Sequence, residues 1–354
     1  MNTVAAPTYV PRAGDVERDR SAVLAIRAAG ASTDVNRERD AAKYDWFYRQ
    51  CPFGPPSLQL LQHAPSATAV GMAAAGPRRM LWRGKEISAG VLVDLMVTPE
   101  HRSLGPALML QSALLESAAQ RFPVLYGFPN PKAAPVFKRV GYTRWTDAVR
   151  YARVLRHAGY LRRRMPAPLA WLLGGALDIG WQLQNALRRW RAAPLDAHWS
   201  DAVDPRMDSL WANSHHGDGL LGIRDSSFLR WRFEQAPRPV TRFLLLSDRD
   251  GTLTAWFACQ NDDGLLHVRD AWSLEGSRGM IRAHVEALLI AAYRAGHSAV
   301  SFEFAGNPRG LHGWLSAGFQ ARAQRPLFGW CSEAVQLDAD TDLYVTSGDE
   351  DEDA

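Results

Sequence analysis

The chain has 354 residues, of which 47% are hydrophobic and 22% charged, and a formal net charge of +4; this fits a globular protein of about two domains and excludes a fibrous or low-complexity chain. Its cysteines, Cys51, Cys259 and Cys331, lie far apart. They form neither a disulfide framework nor a C-x-x-C metal pair, so no metal is expected, and a reducing cytosol fits best.

Residues 1–14 read as a flexible N-terminus, with early charges and prolines and no apolar run of a signal peptide. Val16, Val23, Leu24 and Ile26 among charges predict a helix over 15–30. A short helix, Tyr44 to Gln50, is stopped by Pro52. Strands follow at Ser57 to Gln62, Thr68 to Ala74 and Ile87 to Val97, the last with the Val- and Leu-rich composition of a buried strand. A helix over Ala107 to Gln120, with Pro106 at its first position, leads to a strand at Val124 to Phe128. Ala133 to Val140 is a helix closed by Gly141.

This order then repeats. Trp46-Phe47-Tyr48-Arg49-Gln50-Cys51-Pro52 returns as Trp231-Arg232-Phe233-Glu234-Gln235-Ala236-Pro237. Asn130-Pro131 and Gly141-Tyr142 return, at the same interval, as Asn307-Pro308 and Gly318-Phe319, and a strand aspartate, Asp94 or Asp270, precedes each Asn. A period of about 180 residues is too long for a solenoid and implies a duplicated domain. The second copy shows a helix at Arg224 to Phe233 and a hairpin around Asp250-Gly251. A strand, helix, strand and helix follow at Leu265 to Trp272, Arg278 to Ala295, Ala299 to Phe304 and Leu311 to Ala317. Close early strands followed by crossover helices give an α/β (α+β) fold in which each domain has a mixed, mostly antiparallel sheet flanked by helices.

The copies divide the chain into domains at 15–155 and 201–336, a linker at 156–200 and an acidic tail at 337–354 that reads as disordered. The linker runs from Arg162-Arg163-Arg164 to Arg188-Arg189-Trp190-Arg191 around an apolar stretch containing Trp171 and Trp181. Asp178, Gln182, Gln184 and Asn185 make it too polar to span a bilayer. Two readings stand: a helix packed between the two cores, or an amphipathic helix touching an anionic membrane through residues 162–191. The expected location is cytoplasmic, with the second reading placing it peripherally at the inner face of the membrane.

The local pattern richest in chemistry is Val97-Thr98-Pro99-Glu100-His101-Arg102-Ser103-Leu104-Gly105-Pro106-Ala107, between a buried strand and a helix. Such a turn aims free N–H groups and the positive end of a helix dipole at one spot, which suits a phosphate. Glycine allows close backbone approach and Arg102 adds charge. The stretch resembles motif A of the GCN5-related N-acetyltransferase superfamily, [QR]-x-x-G-x-[GA], here Arg102-x-x-Gly105-x-Ala107. Asn130 to Tyr142 is similar to its motif B, and the resemblance extends over both halves of the chain as tandem domains.

The resemblance implies an N-acyltransferase that moves an acyl group from acetyl-CoA, or another acyl-CoA, to a primary amine by direct attack, without a metal. Arg102, Ser103, Leu104, Gly105 and Ala107 would cradle the pyrophosphate. Leu95, Met96 and Val97 would line the pantetheine arm, an N–H near Met96 would hold the oxyanion, and Asn130 would stand in motif B. Two features depart from the pattern. Pro106 removes one donor, and the tyrosine that commonly protonates the thiolate is replaced by Phe137, with Trp314 in the second copy. Tyr126 and Tyr142 are the alternative acids, although both also suit packing. Asp94 is read either as the base or as a structural carboxylate. The second copy lacks motif A, so it is not expected to bind CoA productively. The acceptor is expected to be a small-molecule amine, with an amino sugar fitting an enzyme that touches the membrane; no nucleic acid is expected. A scaffold protein without catalysis and an enzyme drawing on an acyl carrier protein are the competing readings.

Overall fold

The computed structural model describes residues 8–29, 34–156, 195–237, 239–338 and 340–350. The basic stretch 162–191 lies outside these residues. The chain divides into two compact units, one of residues 1–147, 325–341 and 349–354, the other of 148–324 and 342–348.

In the first unit, five strands follow in spatial order: β1 (Tyr9–Ala13), β2 (Ser57–His63), β3 (Thr68–Trp82), β4 (Lys85–Val97) and β5 (Val124–Gly127). The first four pair antiparallel, whereas β4 and β5 run parallel and are joined through helix α3 (Leu104–Ala118). A parallel pair needs such a crossover. Leu110 and Leu114 of α3 pack on Leu61, Val70, Ala73 and Leu92 of the sheet, with Phe122, Phe137 and Phe328 completing the core. Helices α1 (Arg20–Ala29) and α2 (Asp34–Tyr44) precede β2, and α4 (Ala134–Val140) follows β5. Gly141 closes α4 in the left-handed conformation at φ 114°.

The second unit repeats this plan. Its order runs β7 (Asp196–Ser200), β9 (Thr241–Ser247), β10 (Leu253–Asp262), β11 (Leu265–Ser273) and β12 (Ala299–Gly306), with β11 and β12 parallel and joined through the helix Arg282–Arg294. The duplicated W-x-[YF]-x-Q-x-P motif folds the same way in both units. Asp45–Arg49 and Arg230–Glu234 are wide turns in which Gln50 N–H reaches Asp45 O at 3.0 Å and Gln235 N–H reaches Arg230 O at 2.9 Å. This five-residue spacing is that of a π-turn, and it buries Trp46, Phe47 and Tyr48 in one unit and Trp231, Arg232 and Phe233 in the other.

Three expectations are corrected. Tyr9–Ala13 pairs with β2, so the N-terminal segment is ordered from there rather than flexible throughout 1–14. The acidic tail is ordered through Glu350: β14 (Leu343–Thr346) pairs with β12 and with β8 (Leu220–Gly222), and Asp349 and Glu350 are buried. The charges of 349–350 are tolerated inside because they find partners; Arg325, for example, donates to Glu350 at 2.6 Å. The expected domain bounds, 15–155 and 201–336, are also crossed, because the two sequence repeats exchange strands. β13 (Gln320–Cys331), which follows Gly318-Phe319, pairs through Phe328–Cys331 with β5 of the first unit. β6 (Thr143–Val154), which follows Gly141-Tyr142, pairs through Val149–Val154 with β12 of the second. Either strand can satisfy either edge, because an unpaired ladder demands only backbone partners and a matching apolar face.

The π-turn is fitted to the sheet without slack. A Cβ added to Gly76 on β3 would lie 2.4 Å from the Phe47 ring. Gly76→Ala should destabilise the protein by about 1–3 kcal/mol through overpacking, read as a lowered urea midpoint at unchanged slope. An unchanged midpoint would show that the ring is not held there.

Candidate functional site

The site in the first unit begins where a strand pair comes apart. β4 and β5 are in register from Ala89↔Val124 to Val91↔Tyr126, and the ladder ends there although β4 continues to Val97. The disturbance lies just beyond. Met72 faces Met96 and Ala74 faces Val93, so Asp94 and Leu95 together oppose Ala73 as a bulge. Asp94 takes the left-handed conformation, φ 54°. An aspartate tolerates this better than most residues but still pays for it, so its surroundings must hold it in place.

Those surroundings are charged. The Arg27 guanidinium on α1 donates to Asp94 Oδ2 at 2.6 Å, and the Tyr48 hydroxyl donates to the same oxygen at 2.7 Å. Burial works to raise the Asp94 pKa, but the charges of Arg27 and Lys43 and the hydrogen bonds from Tyr48 and Arg27 outweigh it and hold the carboxyl below its ordinary value. A carboxylate held this way is a weak base and a firm anchor. Of the two readings of Asp94, its geometry favours the structural one.

Past the bulge, Thr98 N–H bonds Val70 O at 2.8 Å. Pairing alternates along a strand, so Met96 points its backbone groups at Met72 and Val97 turns its N–H and C=O toward the open edge. The backbone donor on this open edge beside Met96 is therefore that of Val97. Arg102 marks the same edge, its Nε and Nη2 each 3.3 Å from Val97 O. Leu95 and Met96 are half-buried beside it.

The turn after β4 is short: Pro99–His101 forms a single 3₁₀ turn, and α3 begins at Leu104. Pro106 is thus the third helical residue rather than the first, still within the turn whose N–H groups have no partner in the helix. Ser103 is the N-cap residue in extended conformation, yet its side chain makes no capping bond. Arg102, Ser103, Leu104 and Gly105 are exposed, Ala107 half-buried. A Cβ added at Gly105 would meet nothing within 4 Å. Protein packing therefore gives no reason for glycine here, and the space above it is free for another group's close approach.

The other predicted residues are engaged elsewhere. Asn130 Oδ1 accepts from the N–H groups of Lys132 and Ala133, each at 3.0 Å, so it caps the approach to α4. Asn307 does the same for Arg309 N–H at 2.9 Å. Tyr126 is buried and donates to Asp349 O at 2.7 Å. Tyr142 lies in the core, its hydroxyl accepting from Gln111 at 3.1 Å, and burial pushes its pKa above the ordinary tyrosine value. Phe137 packs against it with ring centroids 5.1 Å apart. Among the described residues no group of three His, Cys, Asp or Glu side chains could hold a metal ion, and no helix is long and apolar enough to cross a membrane.

The fold that holds this strand pair and turn is also found in solved structures. A conserved protein from Enterococcus faecalis, described as a probable N-acyltransferase, superposes with a TM-score of 0.63 at 12% identity over 92% of this chain and 72% of that one. A GCN5-related N-acetyltransferase from Kribbella flavida gives 0.59 at 15% identity over 92% and 72%. The N-myristoyltransferase of Saccharomyces cerevisiae, solved with myristoyl-CoA, gives 0.53 at 11% over 92% and 83%. The chain has the GCN5-related N-acetyltransferase fold. No protein-family model matches it, and no curated protein does.

Within this fold the two copies differ at the turn. In the second, the residues after β11 are packed shut: Ser277 N–H bonds His215 O at 2.8 Å. A Cβ at Gly276 would lie 1.8 Å from His215 O, and one at Gly279 2.1 Å from Gly310 O. Sequence reasoning missed Arg27 and Tyr48. The signals were a charged residue on the buried face of α1, beside Val23 and Ile26, and the hydroxyl that distinguishes Tyr48 from its counterpart Phe233.

Two measurements check this geometry. Asp94→Asn should keep the backbone conformation but lose the ion pair, costing about 1–3 kcal/mol at neutral pH, because Arg27 stays buried with Asp40, at 3.3 Å, as its remaining carboxylate. Because the folded carboxyl titrates below its ordinary 3.8, its contribution is complete above that value and is lost as pH falls through the folded pKa. The gap between wild type and variant should therefore be flat above about pH 5 and close in acid as the folded carboxyl is protonated; a gap widening in acid would refute the assignment. Gly105→Ala should leave stability unchanged or raise it by up to about 1 kcal/mol, and a lower melting temperature would show a packing role for the glycine.

Proposed function

We propose that the first unit binds an acyl-CoA and transfers its acyl group, most simply acetyl, to a primary amine. The observation that carries this reading is the release of β5 from β4 after Val91, directly ahead of the exposed, uncapped start of α3. The open strand edge gives an extended amide-bearing arm a place to lie alongside β4, as a further strand would be bound, with Val97 N–H facing the thioester carbonyl at its end. The N–H groups of Leu104 and Gly105 and the helix dipole face the place where a pyrophosphate would sit, with Arg102 beside it. The solved relatives that share the fold include an N-myristoyltransferase with bound myristoyl-CoA, which supports an acyl-CoA as the donor.

In this reading the amine lone pair attacks the thioester carbonyl carbon, and the Val97 N–H stabilises the oxyanion as the carbonyl π bond opens. Collapse of the tetrahedral adduct breaks the carbon–sulfur bond and expels the thiolate. Asp94 fixes the bulge that aims Val97 and stays ionised throughout. The hydroxyls of Tyr126 and Tyr142 are held by Asp349 O and Gln111, so water takes the amine proton and returns one to the thiolate. The same engaged hydroxyls favour a second reading, a protein that binds acyl-CoA without turning it over.

Calorimetric titration with acetyl-CoA should show one equivalent bound per chain, weakened at least tenfold by Gly105→Glu, which places a carboxylate in the phosphate position, and weakened by Arg102→Ala. Absence of binding to the wild type would sink both readings. Binding with no mass change in any of a panel of amines would retain the second and remove the first.

A further inference from the structure

The second unit has the same splayed strand pair, but there it is filled. β11 and β12 are in register from Leu265↔Ala299 to Val268↔Phe302 and then part, just before Asp270, as β4 and β5 part just before Asp94. Beyond that point β12 pairs instead with β14, Phe304↔Thr346 through Gly306↔Tyr344. β14 also reaches across to β11, where Tyr344 donates its hydroxyl to Ala271 O at 2.8 Å.

We propose that the gap between β11 and β12 is a binding groove for an extended peptide, and that residues 342–348 of this chain are its built-in ligand. The groove is shaped for a backbone. Leu220 N–H donates to Asp342 O at 2.9 Å and Asn307 N–H to Leu343 O at 3.3 Å. Arg232 Nε donates to Gly348 O at 3.0 Å. Two glycines make the close approach possible: a Cβ at Gly219 would lie 2.0 Å from Asp342 O, and one at Gly306 1.9 Å from Leu343 O.

The peptide also completes a charge site. In the first unit the strand aspartate is held by an arginine and by the Tyr48 hydroxyl. In the second, Arg224 Nε bonds Asp270 at 3.0 Å, but the residue in the place of Tyr48 is Phe233, without a hydroxyl. Thr346 of the inserted segment donates to Asp270 Oδ1 at 2.9 Å instead. With both side chains of the Arg224–Asp270 pair fully buried, a lost hydrogen bond there is costly, and the groove therefore selects a segment with a hydroxyl at that position and small residues after it.

The test uses the full chain with a protease site inserted after Asp340, folded intact and then cut. The released fragment should stay bound in native mass spectrometry. A synthetic peptide of residues 342–348 in excess should compete it off or, where cutting lowers the melting temperature, restore it. Gly306→Ala, which obstructs Leu343 O, should weaken retention at least tenfold in the cut chain. Loss of the fragment with an unchanged melt, a melt that the peptide does not restore, or retention indifferent to Gly306→Ala would each overturn the proposal. The readout is peptide retention and does not depend on whether the first unit binds acyl-CoA.

Discussion

A strand pair that must come apart midway needs something to hold the ends open. In both units this is a buried aspartate on the longer strand, placed beside a bulge and fixed by an arginine from elsewhere in the unit: Arg27 for Asp94 and Arg224 for Asp270. The pair does little for net stability, because the desolvation of two charges offsets most of their attraction. Its effect is geometric. It selects one arrangement of the bulge and so decides which backbone groups face the opening. The left-handed φ of Asp94 shows that the backbone accepts strain to reach that arrangement.

From this shared framework the copies have gone separate ways. In the first, the opening is bordered by an exposed turn and by free space over Gly105. In the second, the turn is sealed by backbone packing, and a strand of the chain itself lies in the cleft. The exchange of a hydroxyl illustrates the divergence: Tyr48 supplies it in one copy, whereas Phe233 cannot and Thr346 does so from the far end of the chain. An empty, half-polar cleft is costly to maintain in a protein interior, and β14 removes that cost in the second unit.

The plan of strands and helices was legible because β4, α3, α4 and their counterparts carry clear periodicity and end at Gly141 or Gly318. The parting of β4 and β5 was legible only through resemblance, since nothing in the composition of Leu92–Val97 distinguishes a paired strand from a released one. Two features could not be read. β14 belongs to a segment whose acidity argues for disorder, whereas in the fold Glu350 pairs with Arg325 and Arg232 holds the backbone of Gly348. The swapped positions of β6 and β13 are also invisible in sequence, because the two strands follow equivalent glycines and satisfy equivalent edges. The tyrosines at 126 and 142 were drawn toward chemistry by their position, but burial and their hydrogen-bond partners give them to packing.

The exchange of β6 and β13 bears on how the chain comes into being. During synthesis the first unit emerges with the β5 edge unpaired, since the strand that covers it, Phe328–Cys331, is made long after it. The paired residues of β5 and β13, Gly127 with Phe328 through Val124 with Cys331, are just over two hundred positions apart, and contacts so distant form slowly. The nascent chain therefore carries an unpaired β5 edge while the residues between the two strands are added. Such an edge readily pairs with other strands, so the interval between the making of β5 and of β13 is when the chain is most open to mispairing.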